Sequence, residues 1–383
     1  MAPRTRHVIL DRDGVLNVER SDGGWVSDWS EWTWSPGARE GLRMLGSAGI
    51  RISIATNQSG VGRGLIALSD VDAVHARMLE EAAQAGATID RVWVCPHAPG
   101  DACACRKPLP GLLLSAVEAS GVSADETIAL GDDLRDLQAA WSAGVTAALL
   151  RTGKGRHTEA HLAGSKLAVF DDLRDFADAV LSDSIPLASR ASLIAHRIFT
   201  EHDAVVRESA VALPPVLDRM ASLMRESIGS GGKVLACGNG GSAATAQHFV
   251  AELVGRFRME RRALPAVALS ADTMILTALA NDYGYERVFA RQVEALGAAD
   301  DVLMAFSTSG NSPNVIEAAR TARAMGCKVL AFTGNDGGSL AAYADAIVKV
   351  PSRDVARIQE VHDICIHALA ESIETELSRT LGT

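Results

Sequence analysis

The chain has 383 residues, 48% of them hydrophobic and 22% charged, with a formal net charge of −10. That balance is globular, and the length suits two domains, each with its own core. It also excludes much: no Lys/Arg run offers a footprint for nucleic acid or an anionic membrane, and no apolar run approaches spanning length. The opening MAPRTRHVIL enters a strand-like segment at once and leaves no room for an export signal, so a cytoplasmic protein is expected.

In the first half, apolar runs alternate with helical stretches. HVIL, RISIAT, RVWVC, TIALG and TAALL read as buried strands, and GAREGLRMLGSAG, LSDVDAVHARMLEEAAQAG and DLRDLQAAWSAG as helices between them. Such alternation predicts a parallel sheet covered on both faces. It fades near Ser182, and the Pro/Ser-containing SDSIPLAS marks a boundary, giving domains at 1–183 and 191–383 joined by a linker at 184–190. The second domain opens with a helical stretch from about Ala191 through Ser227, broken at Pro214-Pro215. KVLACG, LPAVALS, DVLMAFS, KVLAFTG and AIVKV follow as strands, so both domains are expected to be doubly wound α/β layers, different in kind rather than duplicated.

The first strand ends LDRDGVLN. Asp11 and Asp13 are two apart, and on a strand they would share a face. One could attack phosphorus while the other protonates the leaving oxygen, and a shared Mg²⁺ would offset their repulsion. A second strand ends ATNQSG, whose polar donors suit phosphate oxygens. Lys107 could offset phosphoryl charge, and LGDDLRD puts Asp132, Asp133 and Asp136 at a further strand end suited to Mg²⁺.

Between these lies CPHAPGDACACRKP. Six cysteines are an even number, but disulfide frameworks belong to small exported chains, and Cys103 and Cys105 are too close for an easy bridge. Cys95, His97, Cys103 and Cys105 instead suit a closed tetrahedral Zn²⁺ site of structural type, holding Arg106 and Lys107 over the substrate. Cys237, Cys327 and Cys365 sit singly in apolar stretches and read as small buried hydrophobes. GGWVSDWSEWTWSPG carries four of the six tryptophans, either bordering a sugar site or packing its own loop down.

In this order, DRDGVLN, TNQSG, the lysine and GDDLRD resemble the haloacid dehalogenase (HAD) superfamily of phosphatases, with its Rossmann-like fold. With CRKPLPG and the CxH…CxC loop, the first half looks like the heptose-1,7-bisphosphate phosphatases, with zinc-containing histidinol-phosphate phosphatases as the nearest alternative. The resemblance implies Asp11 as nucleophile and Asp13 as general acid/base. It implies Mg²⁺ on Asp11, Asp13 (through its carbonyl) and Asp132, and substrate contacts from Thr56, Asn57, Gln58, Ser59, Arg106 and Lys107. Asp133 departs from that pattern, since relatives often carry a basic residue there.

In the second half, KVLACGNGGSAATAQHFVAEL is a strand, a Gly-rich turn and a helix, a frame for an anion at a helix N-terminus. FSTSGNSPN offers Ser307, Thr308, Ser309 and Ser312 as phosphate-binding hydroxyls, or as simple helix caps. His248 and Glu252 are four apart on one helix, and Gln359 and His367 eight apart on another, spacings that suit a metal site on facing helices. CGNGGS, QHFVAEL, ANDYGYE, STSGNS and RIQEVHDICIH resemble the sedoheptulose-7-phosphate isomerases of the sugar isomerase (SIS) fold, which is flavodoxin-like and preceded here by helices. That resemblance implies zinc on His248, Glu252, Gln359 and His367, and proton transfer by Glu252 and His367. It also implies substrate contacts from Asn239, Gly240, Gly241, Asn281, Asp282, the serine loop and Gln359.

Together the halves imply a bifunctional enzyme of activated-heptose synthesis acting on sugar phosphates. A separate heptose-7-phosphate kinase would act between its two steps. Assembly as a homo-oligomer, with a tetramer favoured, follows from the same resemblance. The alternatives are a histidinol-phosphate-type phosphatase fused to a sugar-phosphate-binding domain without activity, and a second domain serving mainly as an oligomerisation scaffold.

Overall fold

The computed structural model of the chain describes residues 4–20, 22–101, 103–162, 167–186, 188 and 190–381. The first three residues of the opening segment, two positions of SDSIPLAS (187 and 189) and the last two residues lie outside them. The chain divides into two compact units, Met1–Glu201 and His202–Thr383, the division falling within the helix Arg190–Ala212.

The first unit carries six strands: β1 (His7–Leu10), β2 (Arg51–Asn57), β3 (Arg91–Cys95), β4 (Thr127–Gly131), β5 (Thr146–Leu150) and β6 (Ala168–Phe170). All pair in parallel, in the order β3-β2-β1-β4-β5-β6. The five long strands are those the apolar runs predict. β6 has only three residues and gives no run to read.

Parallel strands reverse through crossovers, so helices cover both faces and the strands read as continuous apolar runs. Alternate residues of one strand feed opposite cores. Val8 and Leu10 pack with Leu42, Ile52 and Phe176 on one face. Ile9 packs with Ala55, Leu113, Ala140 and Leu149 on the other.

The second unit repeats the logic with five strands: β7 (Val234–Gly238), β8 (Ala266–Ala268), β9 (Val302–Phe306), β10 (Lys328–Gly334) and β11 (Ala346–Val350). Their order is β11-β10-β9-β7-β8, again all parallel. Ala236, Met304 and Phe306 face one core, and Leu235, Leu303 and Ala305 the other. The break expected at Pro214-Pro215 separates Arg190–Ala212 from Pro214–Gly229, with Pro214 at the first position of the second helix, where its missing N–H costs nothing. Cys237, Cys327 and Cys365 are buried in these cores with free thiols, as expected.

In both sheets the crossovers change direction once. In the first the change lies between β1 and β4, in the second between β7 and β9. Adjacent loops leave opposite faces there and open a crevice at the strands' carboxyl ends. No helix among the described residues is long and apolar enough to cross a membrane.

The loop after β9 is held by one glycine. Gly310 has φ +66°, and a Cβ there would stand 2.0 Å from the Gly337 carbonyl oxygen. Gly310→Ala is therefore expected to cost at least ~2 kcal/mol, combining a left-handed backbone penalty with a backbone clash. Urea unfolding of the second unit's transition measures it; an unchanged midpoint would contradict the geometry.

Candidate active sites

In the first unit, charge gathers at the crevice between β1 and β4. Lys107 is buried, its Nζ 2.9 Å from Asp11 Oδ1 and 2.5 Å from Asp136 Oδ1. Asn57 grips the lysine's main chain, donating to its carbonyl at 3.0 Å and accepting from its N–H at 3.1 Å. Asp132 follows β4 and accepts from Lys154 N at 2.7 Å. Oxygens of Asp11, Asp132 and Asp136 all lie within 4.8 Å of one another.

Burial and the Asp136 charge push Asp11 up to about 7, with Lys107 opposing. Burial with Asp136 and Asp11 pushes Asp132 up to about 8. Burial would lower Lys107, but Asp11 and Asp136 outweigh it and hold the ammonium charged. One lysine does not balance three crowded carboxylates. An all-oxygen cluster short of positive charge is the donor set that a hard divalent cation takes.

Asp11 and Asp13 both line the crevice, but their carboxylates have different partners. β1 ends at Leu10, so both aspartates lie beyond the pleat, where the two-residue alternation no longer holds. The Asp13 carboxylate turns to Arg12, which donates from Nη2 at 2.9 and 3.0 Å, to Asn17 Nδ2 at 3.1 Å and to Gln58 Nε2 at 2.8 Å. Burial would raise Asp13, yet Arg12 and these donors hold it below the usual carboxylate range. Arg12, fully buried between His75 and Trp32, escapes the sequence reading because the middle residue of DRD looks like a spacer. Gln58, expected against substrate, is buried behind Asp13 and also donates to Thr56 Oγ1 at 2.9 Å.

A cavity of about 330 Å³ opens above this floor, walled by Trp25, Asn57, Ser59, Arg106, Arg135 and Lys154, with Thr56 also on its lining. The packing reading of the tryptophan segment holds for three of its four rings. Trp29, Trp32 and Trp34 pack together with centroid spacings of 5.2 Å, whereas Trp25 faces the cavity. Asp133 caps the helix Leu134–Ala143 and takes Arg135 Nη2 at 2.7 Å. Burial would raise Asp133, but its bonds to Arg135 hold it at about 2.

Beside the cavity, Cys95, His97, Cys103 and Cys105 converge within 4.8 Å. Tetrahedral ligands of zinc stand roughly 3.8 Å apart for two thiolates and about 3.6 Å for thiolate and imidazole. Here Cys95 and Cys103 sulfurs are 3.9 Å apart, and His97 Nδ1 lies 3.6 Å from Cys95 and 3.3 Å from Cys105. The thiols are free, and the set fits a structural zinc ion. Arg106 follows at once and donates to the His97 carbonyl at 3.3 Å.

In the second unit the crevice lies between β7 and β9. Asn239 follows β7 and exchanges hydrogen bonds of 2.8 Å with Asn314, on the helix opened by the serine loop; the Tyr285 hydroxyl donates to Asn239 at 3.3 Å. Asn314 and Tyr285 lie within FSTSGNSPN and ANDYGYE without standing out there as site residues. Ser307 and Ser312 hydroxyls are 3.0 Å apart, and Ser309 accepts from Asn311 N at 3.1 Å. Thr308 accepts from Gly334 N through its carbonyl at 2.9 Å. Asn281 and Asp282 are exposed at the end of the helix Thr273–Tyr283, bonded to each other at 2.9 Å.

The helix Gly241–Val254, after Gly240, carries His248 and Glu252; the helix Val355–Leu381 carries His367. His248 Nε2 lies 3.4 Å from His367 Nε2 and 3.3 Å from Glu252 Oε1. Nitrogen and oxygen ligands held tetrahedrally at about 2.0–2.1 Å from zinc are roughly 3.3–3.4 Å apart, so these three groups fit one ion. Gln359 is placed elsewhere: its carboxamide packs on Gly241, where a Cβ would stand 2.5 Å from Nε2. That is seven residues, about 10 Å of helix rise, before His248.

Two family descriptions match the chain: HAD-hydrolase-like over residues 104–176 and SIS domain over 199–334. A phosphoheptose isomerase of Citrifermentans bemidjiense is 54% identical over 165 residues, covering 43% of this chain and 86% of its own. The structure of a phosphoheptose isomerase from Neisseria gonorrhoeae is 46% identical, covering 49% of this chain and 98% of its own, with a TM-score of 0.45. The structure of a D,D-heptose 1,7-bisphosphate phosphatase from B. bronchiseptica, complexed with magnesium and phosphate, is 39% identical. It covers 47% of this chain and 99% of its own, with a TM-score of 0.44. The chain thus joins a HAD-like hydrolase domain to a SIS domain, and through the latter it belongs to the phosphoheptose isomerase family.

Proposed function

We propose that the chain is a bifunctional enzyme of nucleotide-activated heptose synthesis. The observation that carries this reading is the presence, in one chain, of two separate clusters suited to two chemistries of one sugar pathway. One is a carboxylate cluster around Lys107; the other joins two imidazoles and a carboxylate on facing helices. Relatives of both halves act on phosphorylated heptoses.

In the first unit, Asp11 attacks the C7 phosphorus of D-glycero-D-manno-heptose 1,7-bisphosphate, and the bond to the sugar oxygen breaks. Asp13 acts as the acid toward that oxygen, its carboxyl raised from its resting state by the negative charge of the incoming phosphoryl group. Water then attacks the aspartyl-phosphate, Asp13 takes the proton, and phosphate and free Asp11 result. Lys107 counters the phosphoryl charge. Mg²⁺ on Asp11, Asp132 and the Asp13 carbonyl would supply the remaining positive charge, and Asp136, already shared with Lys107, would offer a further oxygen. Thr56, Asn57, Ser59 and Arg106 line the substrate cavity. Cys95, His97, Cys103 and Cys105 would hold a structural zinc.

In the second unit, Glu252 and His367 move a proton between C1 and C2 of sedoheptulose 7-phosphate to give the aldose 7-phosphate. Zinc on His248, Glu252 and His367 would polarise the carbonyl, with Gln359, beside Gly241, contacting the substrate. Asn239, Gly240, Gly241, Asn281, Asp282 and the serine loop hold the sugar and its phosphate. A separate kinase must add the C1 phosphate between the two steps. The protein works in the cytoplasm as a homo-oligomer, tetramer favoured. The helix Thr273–Tyr283 supports self-association, since it leaves Met274 80% and Tyr283 54% exposed; sedimentation of the full chain is the check.

Phosphorus NMR of the protein with sedoheptulose 7-phosphate should show a new aldoheptose 7-phosphate signal. Glu252→Gln should abolish it and leave bisphosphate hydrolysis intact, while Asp11→Asn should do the reverse. Loss of both activities in either variant would argue against independent sites. Arg106→Ala should raise KM for the bisphosphate at least tenfold and change hydrolysis of the 7-monophosphate little; equal effects on both would remove Arg106 from C1-phosphate recognition. Metal analysis should find chelator-resistant zinc that Cys103→Ser loses; unchanged zinc content would exclude the cysteine site.

A further inference from the structure

We propose that Glu374 and Arg261 form a positioning pair that holds the two sides of the His248/Glu252/His367 site in register before metal binds. The inference rests on the reading of that cluster as a metal site. Glu374 lies two helical turns beyond His367 on the same helix, so it shares the His367 face. Its carboxylate is 1% exposed and accepts three main-chain N–H groups, from Phe257 at 3.2 Å, Arg258 at 2.7 Å and Met259 at 2.9 Å. Burial would raise this carboxyl, but these donors and Arg261 outweigh it and keep it ionised.

Arg261 Nε is 3.2 Å from Glu374 and 5% exposed. Its guanidinium turns to the end of the other metal-bearing helix, donating to the Glu252 carbonyl at 2.7 Å and to Leu253 at 2.9 Å. Those carbonyls are among the last four of the helix Gly241–Val254, which lack intrahelical partners. The same N–H contacts set Phe257, whose ring stacks on His367 with centroids 5.5 Å apart and planes 23° from parallel. A circuit of contacts therefore runs from Glu252 through Arg261 and Glu374 to the His367 helix, and returns through Phe257 to the His367 ring. None of it passes through a metal ion. Its effect is to fix one ligand's backbone and another's ring plane, which a bare i,i+4 pair on one helix cannot do.

The test is cobalt titration of the metal-free full chain, read by visible absorption. A nitrogen- and oxygen-ligated site lacks the thiolate charge-transfer bands of the cysteine loop, so the two are separable. Glu374→Gln should weaken cobalt binding at the former about 10- to 100-fold, as loss of groups that orient metal ligands does. Phe257→Leu should shift its absorption bands. A folded Glu374→Gln protein with unchanged affinity and bands overturns the proposal, as does absence of cobalt binding at this site in the unaltered chain. Should Glu374→Gln fail to fold, Arg261→Lys and Phe257→Leu decide: weakened affinity in either supports the pair, and unaltered affinity in both overturns it. Cobalt binding without isomerisation by the unaltered chain would sink the proposed function and leave this inference standing.

Discussion

A parallel strand can follow another only if the chain first crosses back over the sheet, so every strand in such a sheet delivers its carboxyl end to the same edge. Both units obey this constraint, and both reverse the direction of their crossovers once. Residues far apart in the chain then meet without any contact between their elements' apolar faces having to change. Asp11, Lys107 and the pair Asp132 and Asp136 come from three segments, 96 and then 25 residues apart in the chain, yet they crowd into one crevice. Asn239 and Asn314 meet for the same reason.

Crowding carboxylates has an electrostatic cost, and the first site is organised around it. Lys107 sits between Asp11 and Asp136, and its own backbone is gripped by Asn57. Asp13 lines the same cavity but has donors of its own, led by Arg12. The two members of the DRD motif therefore occupy different electrostatic surroundings, Asp11 pushed up and Asp13 held down.

The second site is built on helices instead of strand ends. An i,i+4 pair presents His248 and Glu252 from one helix, and a second helix brings His367 opposite. Side chains on facing helices need their relative rotation set by something other than the ligands. The segment that follows the first helix does this by folding back onto the second, through Glu374 and Arg261.

Much of this architecture could be read without coordinates. Continuous apolar runs marked ten of the eleven strands, because a strand buried on both faces needs no polar alternation. The cysteine loop and the His248–Glu252 pair were readable because ligand type and short spacing are local properties. What the sequence could not determine is where a side chain points once its strand ends. Gln58 stands in a phosphate-like cluster yet turns inward to Asp13, and Gln359 lies against Gly241. Arg12, Asn314 and Glu374 have roles only through partners distant in the chain, or through a backbone turn that periodicity does not encode. The sequence alone determined the two folds and the chemistry each could carry, since these follow from pattern and residue type. Only the tertiary structure decided which carboxylates share a charge and which stand apart, because that depends on distances set by packing.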